Sequence, residues 1–360
     1  MLAVGTRGNL ASAPMRIGIL LASLAASLAH ATQAPEPLPS SLHDTGLYAE
    51  PSSLRVRPEN RGFTPQYPLW SDGATKRRWI SLPAGQSIDA SRVAVWDFPR
   101  GTKLWKEFSV DGRRVETRMI ERLEDGDWRF SAYAWNDEQS GATLVPSEKS
   151  RTVSLPGGRR YRIPSEADCR ACHAGAAVPV LGFSALQLSG DRDPLAPHAE
   201  PALTDDLDLH GLIARGMLVG LPRELSRTPP RIAAPTPAGR AVLGYLHANC
   251  GQCHVDPKLS GSAVPVELQL AQDPSDTTAG AKTIHTLLDS ASRYRSTGAA
   301  DTRLIVPGDP QGGTLLARMR SRDPRIQMPP LGSAVPDLEA IVLIEYWIEQ
   351  DLKNNQETSQ

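Results

Sequence analysis

Between residues 62 and 156 apolar and polar positions alternate over short runs rich in β-branched and aromatic residues. The runs Arg77–Leu82, Val93–Phe98, Lys103–Val110, Arg114–Leu123, Trp128–Trp135 and Arg151–Leu155 carry the two-residue period of strands with one buried face. Pro99-Arg100-Gly101, Asp111-Gly112, Glu124-Asp125-Gly126 and Pro156-Gly157-Gly158 punctuate them as turns. Short strands at this spacing predict an antiparallel β-sandwich-like domain over 62–156. Six of the seven tryptophans (Trp70, Trp79, Trp96, Trp105, Trp128 and Trp135) fall in it, and core and turn packing is their expected role.

Further along, the period lengthens to that of helices. Asp205–Leu218, Ala238–Cys250, Ala281–Leu288 and Gly313–Arg320 are predicted helical. Asp337–Asp351 closes the pattern with Leu338, Ile341, Val342, Ile344, Tyr346, Trp347 and Ile348, and Pro336-Asp337 marks its start. Proline-rich segments at 32–61 and Arg223–Pro237 read as an irregular leader and a linker, and 353–360 as a tail. The expected architecture is α+β and multidomain, with the β-rich part at 62–156, a connecting region at 157–235 and an all-α part at 236–352.

Composition narrows the function classes. The 360 residues hold 39 basic and 40 acidic side chains, a formal charge of -1, which speaks against nucleic-acid binding. At the N-terminus, Arg7 and Arg16 precede an apolar run from Ile17 to Ala29 that is too short to span a bilayer. Ala29-His30-Ala31 follows as a small-x-small cleavage site, so 1–31 reads as an export signal and the mature chain is expected in a periplasm, not spanning the membrane.

The chemistry lies in the four cysteines. In an exported chain they would ordinarily suggest two disulfides, yet they occur as Cys169-Arg170-Ala171-Cys172-His173 and Cys250-Gly251-Gln252-Cys253-His254. In C-x-x-C-H, one helical turn spaces two thiols to add across the vinyl groups of haem, and the next imidazole binds the iron. The 81-residue separation (250 minus 169) is far beyond that of a zinc ribbon, and a thioredoxin-type pair would need a βαβ context that is not evident. Two covalent haems c are therefore expected, at Cys169/Cys172 with His173 and at Cys250/Cys253 with His254. Met328, in Gln327-Met328-Pro329-Pro330, is the expected soft second ligand of the latter, and Met319 is its rival. A proline carbonyl, from Pro265 or Pro257, would hold the proximal imidazole of that site through Nδ1–H.

With these residues in view, Thr236–Leu352 resembles a class I cytochrome c domain. The resemblance rests on Tyr245–His254 leading into the haem motif, the Met328-Pro329-Pro330 loop and Tyr346-Trp347. It implies first and last helices that cross with an aromatic at the contact. More widely, Leu69-Trp70-Ser71-Asp72-Gly73-Ala74, Trp96-Asp97-Phe98-Pro99-Arg100-Gly101-Thr102 and Trp135-Asn136-Asp137-Glu138-Gln139 are similar to a little-characterised bacterial family. That family joins a β-rich N-terminal region to two c-type haem sites, which implies architecture and no reaction. The first haem lacks a long helix leading into it, and its second ligand is open: Met217, then His198, His210 or Met119, or none. The expected function is electron transfer to a redox partner protein. A peroxidase-like oxidoreductase or a haem-based sensor with an open first haem is the alternative. Acidic groups at Asp191–Asp193 and Asp205–Asp208 are expected to be a solvated face rather than a calcium site.

Overall fold

The computed structural model describes residues 37–50, 53–174, 176, 178–254, 270–292, 294 and 303–353; the predicted export signal lies outside them. Ten strands occur among these residues: β1 (Arg61–Gly62), β2 (Thr75–Ser81), β3 (Ile88–Asp89), β4 (Lys103–Val110), β5 (Arg113–Arg122), β6 (Trp128–Trp135), β7 (Ala142–Leu144), β8 (Arg151–Ser154), β9 (Arg160–Ile163) and β10 (Leu218–Val219). Six form one antiparallel sheet in the order β1-β2-β4-β5-β6-β7. The β4–β5 hairpin turns on Asp111-Gly112, both at positive φ (49° and 77°), the backbone that a two-residue Asp-Gly turn favours. The predicted run Val93–Phe98 does not join the sheet. Val95 closes a turn onto Arg92, and only Asp97 makes a bridge, to Asp89. Its alternation places Trp96 and Phe98 in the core from a loop.

The architecture differs from a sandwich in having one large sheet whose two faces are covered by other segments. Register fixes the faces. Trp79, Trp105, Met119 and Ser131 lie across one another on one side, as do Arg78, Lys106, Arg118 and Ala132 on the other. The Trp105 side is covered by the leader, where Leu42, Leu47 and Tyr48 pack on Trp79, Trp105, Met119 and Tyr133. On the opposite side, Ile80 and Leu104 share a core with Phe183, Leu188, Leu207 and Leu212. Residues 180–218 are thus built into the same core as the sheet, across the boundary expected at 156.

Seven helices follow in chain order: α1 (Glu166–His173), α2 (Leu209–Ala214), α3 (Arg223–Arg227), α4 (Pro237–Asn249), α5 (Ala279–Asp289), α6 (Thr314–Arg320) and α7 (Leu338–Tyr346), the last continued by a π-helical segment, Trp347–Leu352. Ser165 and Asp168 form a reciprocal cap that starts α1. α2 is shorter than its predicted span because Gly216, at φ 66°, reverses the chain and sends Leu218 into β10, parallel to β3. Thr236 caps α4, with Pro237 in its first turn. α4 and the last helical segment meet where Gly239 faces Trp347: a Cβ on Gly239 would lie 3.2 Å from the indole nitrogen. Around this contact Val242, Tyr245, Leu246, Ile341, Ile344 and Ile348 form the C-terminal core. No helix among the described residues is long and apolar enough to cross a membrane.

Candidate functional site

Both C-x-x-C-H motifs border one cavity of about 260 Å³. Its floor is the Arg78–Lys106–Arg118 side of the sheet, with Phe130 from β6. The first motif contributes Cys169 and His173 from α1; the second contributes Gly251 and Gln252, with His247 one turn earlier on α4. Val178, Val180 and Phe183, from the segment after α1, complete an apolar wall. Cys253 is close enough to Cys172 for its charge to add to the effect of burial, which pushes the Cys172 thiol up to about 11. Residues 81 positions apart in sequence are thereby brought side by side (250 minus 169).

The short helix α1 sets its two thiols one turn apart, with His173 on its last turn. The His173 ring lies 5.3 Å from the Phe130 ring, tilted by 54°, and its Nδ1 is 2.5 Å from the carbonyl oxygen of Pro179. A nitrogen facing a carbonyl must be the protonated one, so Nε2 keeps its lone pair for a metal. Burial lowers the His173 pKa to about 4; the Pro179 bond raises it, and Lys106 and Arg118 lower it further. At the second motif, burial and then Arg318 lower the pKa of His254. His254 Nδ1 is buried with no partner among the described residues, and Pro257 and Pro265, expected to tether it, lie outside them.

None of the four cysteines is joined in a disulfide, and burial raises the pKa of every thiol, Cys250 to about 12. A redox-active dithiol needs a depressed thiol, so this setting disfavours thioredoxin-type chemistry. Among the described residues no group of three or more His, Cys, Asp or Glu side chains is placed to hold a metal ion. Of the acidic residues considered for calcium, Asp193 accepts from Tyr67 and Arg240, Asp206 accepts from Thr64, and Asp208 caps α2.

The charges on the cavity floor suit a haem. On the sheet face beneath it, Lys76 and Arg78 share Glu200, and Arg118 pairs with Glu116. Lys106, between Arg78 and Arg118 in register, makes no ion pair with a carboxylate among the described residues. Four basic side chains therefore share two carboxylates, and haem brings two propionates. Trp96 Nε1, at the same wall, is buried without a hydrogen-bond partner among the described residues. Burial pushes the Lys106 ammonium well below its usual pKa, as expected for a cation that awaits a counter-charge.

The second-ligand candidates separate clearly. Met328 is partly buried; its N–H donates to the carbonyl of Arg318 (3.1 Å), the residue whose charge reaches His254. Met319 is 6% exposed and fills the C-terminal core beside Leu316. Met217 packs against the Ile88–Leu212–Leu218 core and does not line the cavity, because the turn after α2 folds it onto β3. Met119 borders the cavity floor only from the sheet, since register directs its side chain to the Trp105 side. His198 is held by Asp337 and Glu339, and His210 is exposed. His43 contacts Tyr48, and His285 pairs with Asp289 at the surface. His247 does line the cavity, but its Nδ1 accepts the N–H of Gln272 (3.0 Å), so the proton sits on Nε2 and leaves no lone pair there. Sequence reasoning did not single out Lys106; the signal was a lysine at an inward position of an otherwise apolar alternation.

The family described as Planctomycete cytochrome C matches residues 286–332. This stretch contains α6 and the Met328 loop, and it supports a c-type cytochrome region in the C-terminal part of the chain. Covalently bound haem c and haem-based electron transfer follow from such a region. No curated protein and no solved structure matches the chain.

Proposed function

We propose that the chain is an exported dihaem c-type cytochrome that passes electrons between redox partner proteins. Cys169 and Cys172 would hold one haem with His173 on its iron; Cys250 and Cys253 would hold the other, with His254 and Met328. Haem supplies one-electron chemistry at a potential set by its ligands and surroundings. The chain's part is to attach, orient and shield. Pro179 fixes the His173 tautomer, and Arg78 and Arg118 hold Glu200 and Glu116 on the cavity floor. The crossing of α4 with the last helical segment at Gly239–Trp347 supports a class I cytochrome c domain over 236–352.

The observation that carries this reading is the convergence of two C-x-x-C-H motifs, distant in sequence, on one cavity. Adjacent haems exchange electrons readily, as transfer within one protein requires. A pyridine haemochrome assay on the periplasmic protein should give two haems c per chain, and C169A/C172A should give one. One haem or none in the parent protein would overturn the proposal. A second reading, an oxidoreductase or sensor with an open first haem, is favoured by the packing of Met217, the first candidate for its second ligand, into the Ile88–Leu212–Leu218 core away from the cavity.

A further inference from the structure

Lys106 is the cation on the cavity floor that makes no ion pair among the described residues, and Glu200 acts on it only from beyond ion-pair distance. Its neighbours in register, Arg78 and Arg118, are each committed to a carboxylate, whereas Lys106 lies 5.0 Å from the Phe108 ring centroid. It borders the same cavity as His173, and its charge is felt at that imidazole. Enclosed yet partly accessible, its side chain faces the cavity. Met119, Met217 and His247 are each placed or protonated so that they cannot ligate opposite His173.

We propose that Lys106 forms a binding site for a small exogenous anion at an open side of the first haem. An ammonium in a low-dielectric wall attracts a monoanion far more strongly than one in water, and it discriminates against neutral diatomics of similar size. The ligand class is a small anion with a nitrogen or oxygen terminus, of which azide is a convenient probe. The same chemistry has a second source, a propionate of the haem itself, and the two make different predictions.

The inference rests on the proposed haem at Cys169/Cys172, so the haem count is taken on the same samples. The ferric two-haem protein is titrated with azide by its Soret band, and the ferrous protein with carbon monoxide. The expected result is azide binding at one haem of two. K106M should weaken azide binding at least about tenfold and change carbon monoxide affinity less than about threefold, while K106R retains azide binding. Carbon monoxide binding in K106M also reports an intact pocket. A count of one haem would overturn the functional reading itself. With two haems present, azide-inert low-spin spectra would overturn the anion site alone. Azide affinity unchanged in K106M would do the same and assign Lys106 to a propionate. Loss of a parent low-spin spectrum in K106M would also overturn it, making Lys106 the iron ligand.

Discussion

His173 Nδ1 points at the carbonyl oxygen of Pro179, six residues on, and this contact fixes which ring nitrogen is free for a metal. The loop from α1 back to the sheet carries Pro179 into reach and then delivers Val180 and Phe183 to the core. One segment thus sets the imidazole and walls the cavity. Nδ1 donation to a carbonyl makes an imidazole a stronger donor to iron, which favours the ferric state and lowers the potential. Pro179→Gly frees this loop and should raise the midpoint of the haem proposed at Cys169 and Cys172. A hydrogen bond contributes about 0.5–1.5 kcal/mol net, so the shift is on the order of 20–60 mV for one electron. Spectroelectrochemical titration reads it, and an unmoved midpoint would show that the contact does not tune the haem.

Met328 and Met319 are nine positions apart, and their surroundings predict opposite outcomes (328 minus 319). Met328→Ala should abolish the long-wavelength sulfur–iron band and lower the second midpoint by on the order of 100 mV, because a thioether favours ferrous iron. Met319→Leu keeps volume and polarity in a closed core, so it should retain the band and cost less than about 1.5 kcal/mol. The reverse pattern would make Met319 the ligand.

Local patterns in the chain spelled out much of this molecule. β4, β6 and α6 fall close to their predicted spans because each carries an uninterrupted period bounded by a turn or cap. The two C-x-x-C-H motifs were legible for a similar reason: each is contained in five consecutive residues. Long-range relations were not legible. Nothing near Leu42 announces that the leader covers Met119, and nothing near residue 180 announces that its core is the sheet's. Val93–Phe98 mimicked a strand because alternation records burial and not pairing. Lys106 was passed over because its significance depends on Glu200 and Glu116, which neutralise its neighbours from distant parts of the chain.

Glu116 has no exposed surface, and it accepts from Arg118 and from the Tyr161 hydroxyl at 2.6 Å. Glu116→Gln removes the counter-charge of a largely buried guanidinium and should destabilise the holoprotein by about 3 kcal/mol. Tyr161→Phe removes one neutral donor and should cost about 1 kcal/mol. Urea unfolding of both variants ranks the two effects. Equal losses would mean that the ion pair adds nothing beyond a single hydrogen bond.

His247 gives the fold a pH dependence with a definite sign. Burial holds its folded pKa at about 4, against 6.5 for the free side chain. Below pH 6.5 the unfolded chain takes up a proton that the folded chain refuses, so stability held at neutral pH is lost as the pH falls toward 4. The full loss is at most about 3 kcal/mol. In the holoprotein His173 and His254 would be bound to iron and would not titrate in this range. His247→Gln still offers an acceptor to the Gln272 N–H but carries no titrating group. Its urea midpoint should therefore fall less than that of the parent between pH 7 and pH 4.5, by about the His247 contribution. Parallel pH profiles for the two proteins would place the acid sensitivity elsewhere, among the buried carboxylate pairs.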